Sequence, residues 1–121
     1  MPQFVSFPVA SRGDWECVKP RLSAAFDRRF PADWDARAAA LRQADRPVLF
    51  GGTHLCGFFS FLRELMGDDV YYFFYDDPAL VEEMLEFQGK RLAALLRRAC
   101  ADTRIDVVFV WEDMCYRNGP L

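Results

Sequence analysis

Ile105-Asp-Val-Val-Phe-Val-Trp-Glu-Asp-Met-Cys-Tyr-Arg-Asn-Gly119 is the stretch on which the fold turns. Five apolar residues in succession, Val107 to Trp111, run directly into two acids, Glu112 and Asp113. A run of this length, β-branched and aromatic, reads as a strand buried on both faces. Acids placed just past such a strand fall where α/β proteins assemble their sites, outside the carboxyl ends of the strands. Leu121 follows with no helical segment to cover the strand, so the stretch predicts part of a larger fold, cut at the mouth of its site.

Upstream, Pro47-Val-Leu-Phe-Gly-Gly52 is a second short apolar run, read as a buried strand whose paired glycines supply an exit turn with unusual backbone angles. Between the two runs the spacing is helical. Apolar residues at 55, 58, 59, 62, 65 and 66 predict a helix from Leu55 to Met66, ended by Gly67. Asp77-Pro78 is the clearest helix start, with a cap oxygen, a preset first-turn angle and then Glu82 and Glu83 near the positive end of the dipole. The apolar face of that long helix runs from Leu80 to Cys100, and Asp102-Thr-Arg104 turns the chain into the final strand. Ser11 and Asp33 are natural caps for two earlier helices, the first carrying Trp15, Val18 and Leu22 and expected to kink or stop at Pro20. The predicted order is helix, helix, strand, helix, long helix, strand. Two strands joined by helices imply a parallel pair with a right-handed crossover, and such a pair needs neighbours to close a sheet.

A chain of 121 residues with 52% hydrophobic content holds one domain with ample core material. The formal charge of −3, with bases dispersed among acids, presents no basic stripe for nucleic acid. No apolar run approaches the ~18 to 20 residues that span a bilayer, and the N-terminus lacks the pattern of a secretory signal. Cys17, Cys56, Cys100 and Cys115 are scattered without Cys-x-x-Cys spacing, which reads as free thiols in a reducing cytoplasm.

Several segments in order carry a family resemblance. They are Phe7-Pro8-Val9 with Arg12-Gly-Asp14-Trp15, Gly51-Gly52, Phe58 to Gly67, Tyr75-Asp76-Asp77-Pro78-Ala-Leu80-Val81-Glu-Glu83-Met84, Trp111-Glu112-Asp113-Met114 and Asn118-Gly119-Pro120-Leu121. In this order the chain resembles the uroporphyrinogen decarboxylase-like (URO-D) superfamily, which also includes corrinoid-linked and methyl-cobalamin-linked methyltransferases. The resemblance runs from Phe7 onward. It implies an α/β fold, a partial (β/α)8 TIM barrel with two parallel strands and flanking helices, in which residues 1–121 form a single incomplete domain. Such barrels take about 250 residues. It also implies a lyase of porphyrin metabolism acting on a tetrapyrrole or small carboxylated molecule, inactive as an isolated section. Leu41 to Arg46 superficially echoes the family's arginine-bearing segment, but it lies immediately before the Pro47 strand, whereas the family separates the two widely.

Glu112 and Asp113 are the catalytic candidates. A carboxylate at a barrel mouth holds a pyrrole or amine nitrogen, or acts as a general acid once burial raises its pKa. The competing reading has one acid capping a turn and the other solvated. Arg63 stands near the place where true uroporphyrinogen decarboxylases carry a substrate-facing tyrosine, and an arginine there suits a carboxylate or phosphate. It reads equally as a surface arginine paired with a nearby acid. Tyr116 joins Arg63 as a substrate-binding candidate. No cofactor is required by this reading. The methyltransferase alternative brings zinc or a corrinoid, with His54, Cys56 and Cys115 as the zinc-ligand set that its motif suggests. Phe58 to Phe61 and Tyr71 to Tyr75 form an aromatic-rich block, read first as core and helix packing. The expected partner is a small-molecule or tetrapyrrole substrate, with no nucleic acid and no membrane. Self-association through exposed strand edges is the alternative partner, and makes the chain a non-catalytic subunit.

Overall fold

The computed structural model describes residues 6–24, 27–112, 115–116 and 119–120, with the backbone alone described at 24, 27, 53–56, 115–116 and 119–120. Its α-helices are α1 (Arg12–Ala24), α2 (Trp34–Arg42), α3 (Phe58–Met66), α4 (Val70–Asp76) and α5 (Pro78–Asp102). Strand β1 (Leu49–Cys56) pairs in parallel with β2 (Val107–Trp111), and β3 (Cys115–Tyr116) forms a short antiparallel pair with β4 (Gly119–Pro120). Three helices, α3 to α5, therefore lie between two adjacent parallel strands, the crossover connectivity that parallel pairing requires.

Local chemistry explains where most helices begin. Ser11 and Asp14 form a reciprocal cap at α1: the Ser11 hydroxyl donates to Asp14 Oδ2 at 2.7 Å, and the Asp14 N–H donates to Ser11 Oγ at 3.3 Å. Asp77 accepts the Leu80 N–H at 3.0 Å, with Pro78 in the first turn of α5. Asp33 precedes α2 without capping it, because its carboxylate takes the Arg37 guanidinium at 2.8 and 2.9 Å. Helix α1 continues through Pro20 to Ala24. Val18 and Leu22, on either side of the proline, pack on the core, and tertiary burial offsets the lost helical hydrogen bond.

The core is a helical cluster. Trp15 from α1 meets Phe61, Leu62 and Met66 from α3, Val70 from α4, and Leu80, Val81 and Met84 from α5. Trp15 stands edge-on to Phe87 at 5.2 Å and to Phe61 at 6.4 Å between ring centroids. Each large apolar side chain buried here contributes about 1.5–3 kcal/mol. Polar contacts lock the helices around it. Glu83 accepts from Lys19 Nζ at 2.6 Å, Trp15 Nε1 at 3.0 Å and Arg12 at 3.2 Å, joining α1 to α5. Asp102 accepts from Trp34 Nε1 at 2.7 Å, and Thr103 Oγ1 donates to the Ala38 carbonyl at 3.1 Å, so the end of α5 holds α2.

Three expectations change on contact with this packing. Strand β1 runs on to Cys56, so α3 begins at Phe58, not Leu55; the parallel register with β2 keeps the backbone extended, and the Gly57 N–H donates to the Trp111 carbonyl at 2.6 Å. Gly51 and Gly52, with φ of 115° and 120°, lie inside the strand and precede an irregularity of register between Gly52 and Cys56. Most consequential, β2 is not buried on both faces: its five residues are 38% to 47% exposed. The buried cluster is built by α1 and α3 to α5, and among the described residues no layer covers the two-stranded sheet. Among those residues no helix is long and apolar enough to cross a membrane.

Candidate functional site

The carboxyl ends of β1 and β2 meet the N-terminus of α3, and the sequence-distant acid Glu112 ties them together. Helix α3 starts from Gly57, which offers no side-chain cap, and no acid lies in its first turn. Glu112, the residue after β2, supplies the missing acceptor. Its carboxylate accepts the backbone N–H groups of Phe58, of Phe59 at 3.3 Å and of Ser60 at 3.0 Å. These amides are among the orphan donors of a helix start, and a carboxylate there also faces the positive end of the dipole. Gly57 makes the approach feasible, because a Cβ at that position would overlap the Glu112 carboxylate.

A second, buried polar contact fixes the same corner. Gln88 on α5 is wholly buried. Its Nε2 donates to the Gly57 carbonyl at 3.2 Å, and its Oε1 accepts from Arg91 Nε at 2.9 Å. Arg91 in turn lies over the Phe61 ring at 5.1 Å. Residue 57 is thus held by its N–H, by its carbonyl and by the steric fit of its Cα against Glu112. Sequence reasoning missed Gln88. The one available signal was its helical spacing from Met84 and Leu95 on the buried stripe, where a glutamine among apolar positions marks a specific partner.

Beside this corner opens a groove of about 590 Å³ lined by Phe7, Ser60, Arg63, Glu64, Gly67, Asp68 and Trp111. It combines aromatic walls from Phe7 and Trp111 with a hydroxyl, a guanidinium and two carboxylates. Gly67 closes one side with φ of 63°, and Phe7 packs where a Cβ would stand. The lead-in carrying Phe7 is pinned to α3 by the Val9 N–H donating to the Leu65 carbonyl at 2.9 Å. Arg63 lies in the second turn of α3, lines the groove and reaches Asp68 at 3.5 Å.

The predicted site residues therefore separate. Arg63 lines the groove, and Glu112 stands at its edge through Ser60, which lines the groove and donates its N–H to Glu112. Asp113 lies outside the described residues, as does the side chain of Tyr116. The side chains of His54, Cys56 and Cys115 lie outside them as well. Among the described residues no group of three or more histidine, cysteine or acidic side chains is placed to hold a metal ion. No family model matches this chain, and no curated protein or solved structure matches it either.

Proposed function

We propose that this chain is a section of a uroporphyrinogen decarboxylase-like (β/α)8 barrel whose groove takes a carboxylated small molecule or tetrapyrrole. One observation carries the reading: the groove opens at the carboxyl end of a parallel strand pair, where barrel enzymes place their chemistry. Arg63 is the substrate-carboxylate ligand, acting through two N–H donors in the plane of the guanidinium. Trp111 and Phe7 supply flat apolar walls for a conjugated ring.

Decarboxylation breaks the bond from carbon to carboxylate, releases carbon dioxide and leaves an electron pair on carbon that an acid must protonate. Two acids, Glu112 and Asp113, follow β2 in the sequence. Both oxygens of Glu112 accept backbone N–H groups, which suits an anchor for the strand end. Asp113 is the residue we assign to proton delivery, with Tyr116 as a second substrate contact. The test is titration with uroporphyrin, a fluorescent polycarboxylated tetrapyrrole. Saturable quenching that weakens at least about tenfold in Arg63→Met is expected from the loss of one charge-assisted contact. No saturation, or equal binding by the variant, would overturn the reading. In an active form of the barrel, Asp113→Asn is expected to abolish turnover while Glu112→Gln chiefly lowers stability.

The exposure of β2 favours a second reading. A parallel pair with apolar residues open on both faces suits a subunit that associates through its strand edges. A monodisperse, cooperatively melting dimer would support it, and a strictly monomeric chain would exclude it.

A further inference from the structure

Between Arg63 and Lys90 the chain carries eight acids and no lysine or arginine, whereas in the rest of the chain bases outnumber acids, fifteen to ten. Part of this charge is matched across the fold, since Asp77 and Glu83 face Arg12 and Lys19 from α1, and Glu86 pairs with Lys90. Asp68, just before α4, reaches Arg63 at 3.5 Å, but among the described residues no lysine or arginine pairs with Asp69 or Asp76. Asp69 and Asp76 are exposed at the two ends of that helix, and between them Tyr72 is 69% and Tyr75 88% exposed. Residues spaced three and four apart share one side of a helix, so Asp69, Tyr72 and Asp76 line up, with Tyr75 one turn beyond Tyr72. The other side of α4 is committed to the fold, because Val70, Tyr71 and Phe73 pack on the core.

We propose that this outward face, Asp69, Tyr72, Tyr75 and Asp76, docks an arginine-rich segment of a partner protein. Charge complementarity selects the partner. Two carboxylates flanking two tyrosine rings match a guanidinium, which stacks on an aromatic face while donating in its plane to an acid. The same chain uses this stacking internally, with Arg91 over Phe61 at 5.1 Å and Arg98 over Phe30 at 5.2 Å. Exposed tyrosines are also the residue type that interfaces favour, because one large rigid ring contributes contact area at low entropy cost. None of the four residues lines the groove, and the proposal does not depend on the function proposed for it.

The experiment uses three fluorescein-labelled peptides of identical spacing in which the cationic positions are arginine, lysine or glutamate, titrated by anisotropy at low and high salt. The arginine peptide is expected to bind, to lose affinity in high salt, and to bind more tightly than the lysine peptide. Tyr72→Ser/Tyr75→Ser is expected to weaken binding about tenfold, from two lost exposed stacking contacts. Asp69→Asn/Asp76→Asn should weaken it and flatten its salt dependence. All four positions point outward, so unchanged thermal melts confirm that the variants fold. Absence of binding, equal affinity for the two cationic peptides, or binding insensitive to the tyrosine pair would overturn the proposal. Self-association of the chain that disappears in the tyrosine variant would assign the face to a second copy, and would overturn it equally.

Discussion

Gly57 has a normal extended backbone at φ −71°, so an alanine there would meet no conformational penalty. Its difficulty would be purely steric, because the added methyl enters the space of the Glu112 carboxylate. Gly57→Ala is expected to cost about 1 kcal/mol, because the exposed Glu112 side chain must move off the start of α3 and give up its cap. Glu112→Ala alone should cost about 1 kcal/mol by uncapping α3. The two effects share one contact, so urea denaturation of Gly57→Ala/Glu112→Ala should show a loss smaller than the sum, with coupling above about 0.5 kcal/mol. Strict additivity would mean that the carboxylate does not sit on α3. The position of Glu112 past a strand was legible in the sequence, but its partners were not. They lie 52 to 54 residues away, and nothing in the spacing of Phe58 to Ser60 announces that their N–H groups are waiting for an acid.

Helix α1 is clamped to α5 by the Arg12, Lys19 and Trp15 contacts to Asp77 and Glu83, and these contacts make the pairing sensitive to acid. The Arg12 guanidinium, by hydrogen bonding, holds Asp77 below its ordinary value; the Lys19 ammonium and the Trp15 indole do the same for Glu83. Hydrogen bonds from Trp34 and Arg98 likewise lower Asp102. A carboxylate whose folded pKa is depressed adds stability that is complete above its unfolded value, near 4, and is lost as pH falls through the folded value. The melting temperature is therefore expected to hold through neutral and mildly acidic pH and to drop below about pH 4. Glu83→Gln should lower it at neutral pH and flatten the acid limb; a limb of unchanged steepness would place the acid sensitivity elsewhere. Elements with chemical punctuation were legible: Asp77-Pro78 opens α5, and Ser11 with Asp14 opens α1. Helix α4 was not, because tyrosine and phenylalanine are weak helix formers and its residues helicise by packing Val70, Tyr71 and Phe73 on the core. Pro20 does not end α1, since burial of its neighbours Val18 and Leu22 offsets the local break.

At the scale of the molecule, the buried cluster is built without the sheet, which joins the helices at the corner held by Glu112, Gly57 and Gln88. The helices bury their own core, while β1 and β2 hang together through their ladder and through Asp106, which accepts the Val48 N–H at 2.8 Å and the Arg104 guanidinium at 3.0 Å. Alternation along a strand places Val108 and Val110 on one face of β2, and Val107, Phe109 and Trp111 on the other. Both faces are apolar and both are open. The apolar run thus announced a strand and its parallel partner correctly, but read as buried because the pattern reports what a strand requires, not what covers it. Parallel strands are ordinarily covered on both faces, and contiguous exposed apolar side chains mark association surfaces. The chain is therefore expected to self-associate, with a weight-average mass that rises with concentration in sedimentation velocity. Phe109→Lys places a charge at the centre of one face and should shift that rise to at least about tenfold higher concentration, one buried aromatic being worth more than the required free energy. Val108→Lys should do the same if the opposite face carries the contact, and the pair of variants identifies which face is covered. A mass that stays monomeric across the range would show that the open sheet is tolerated as it stands, and would remove the edge-association reading altogether.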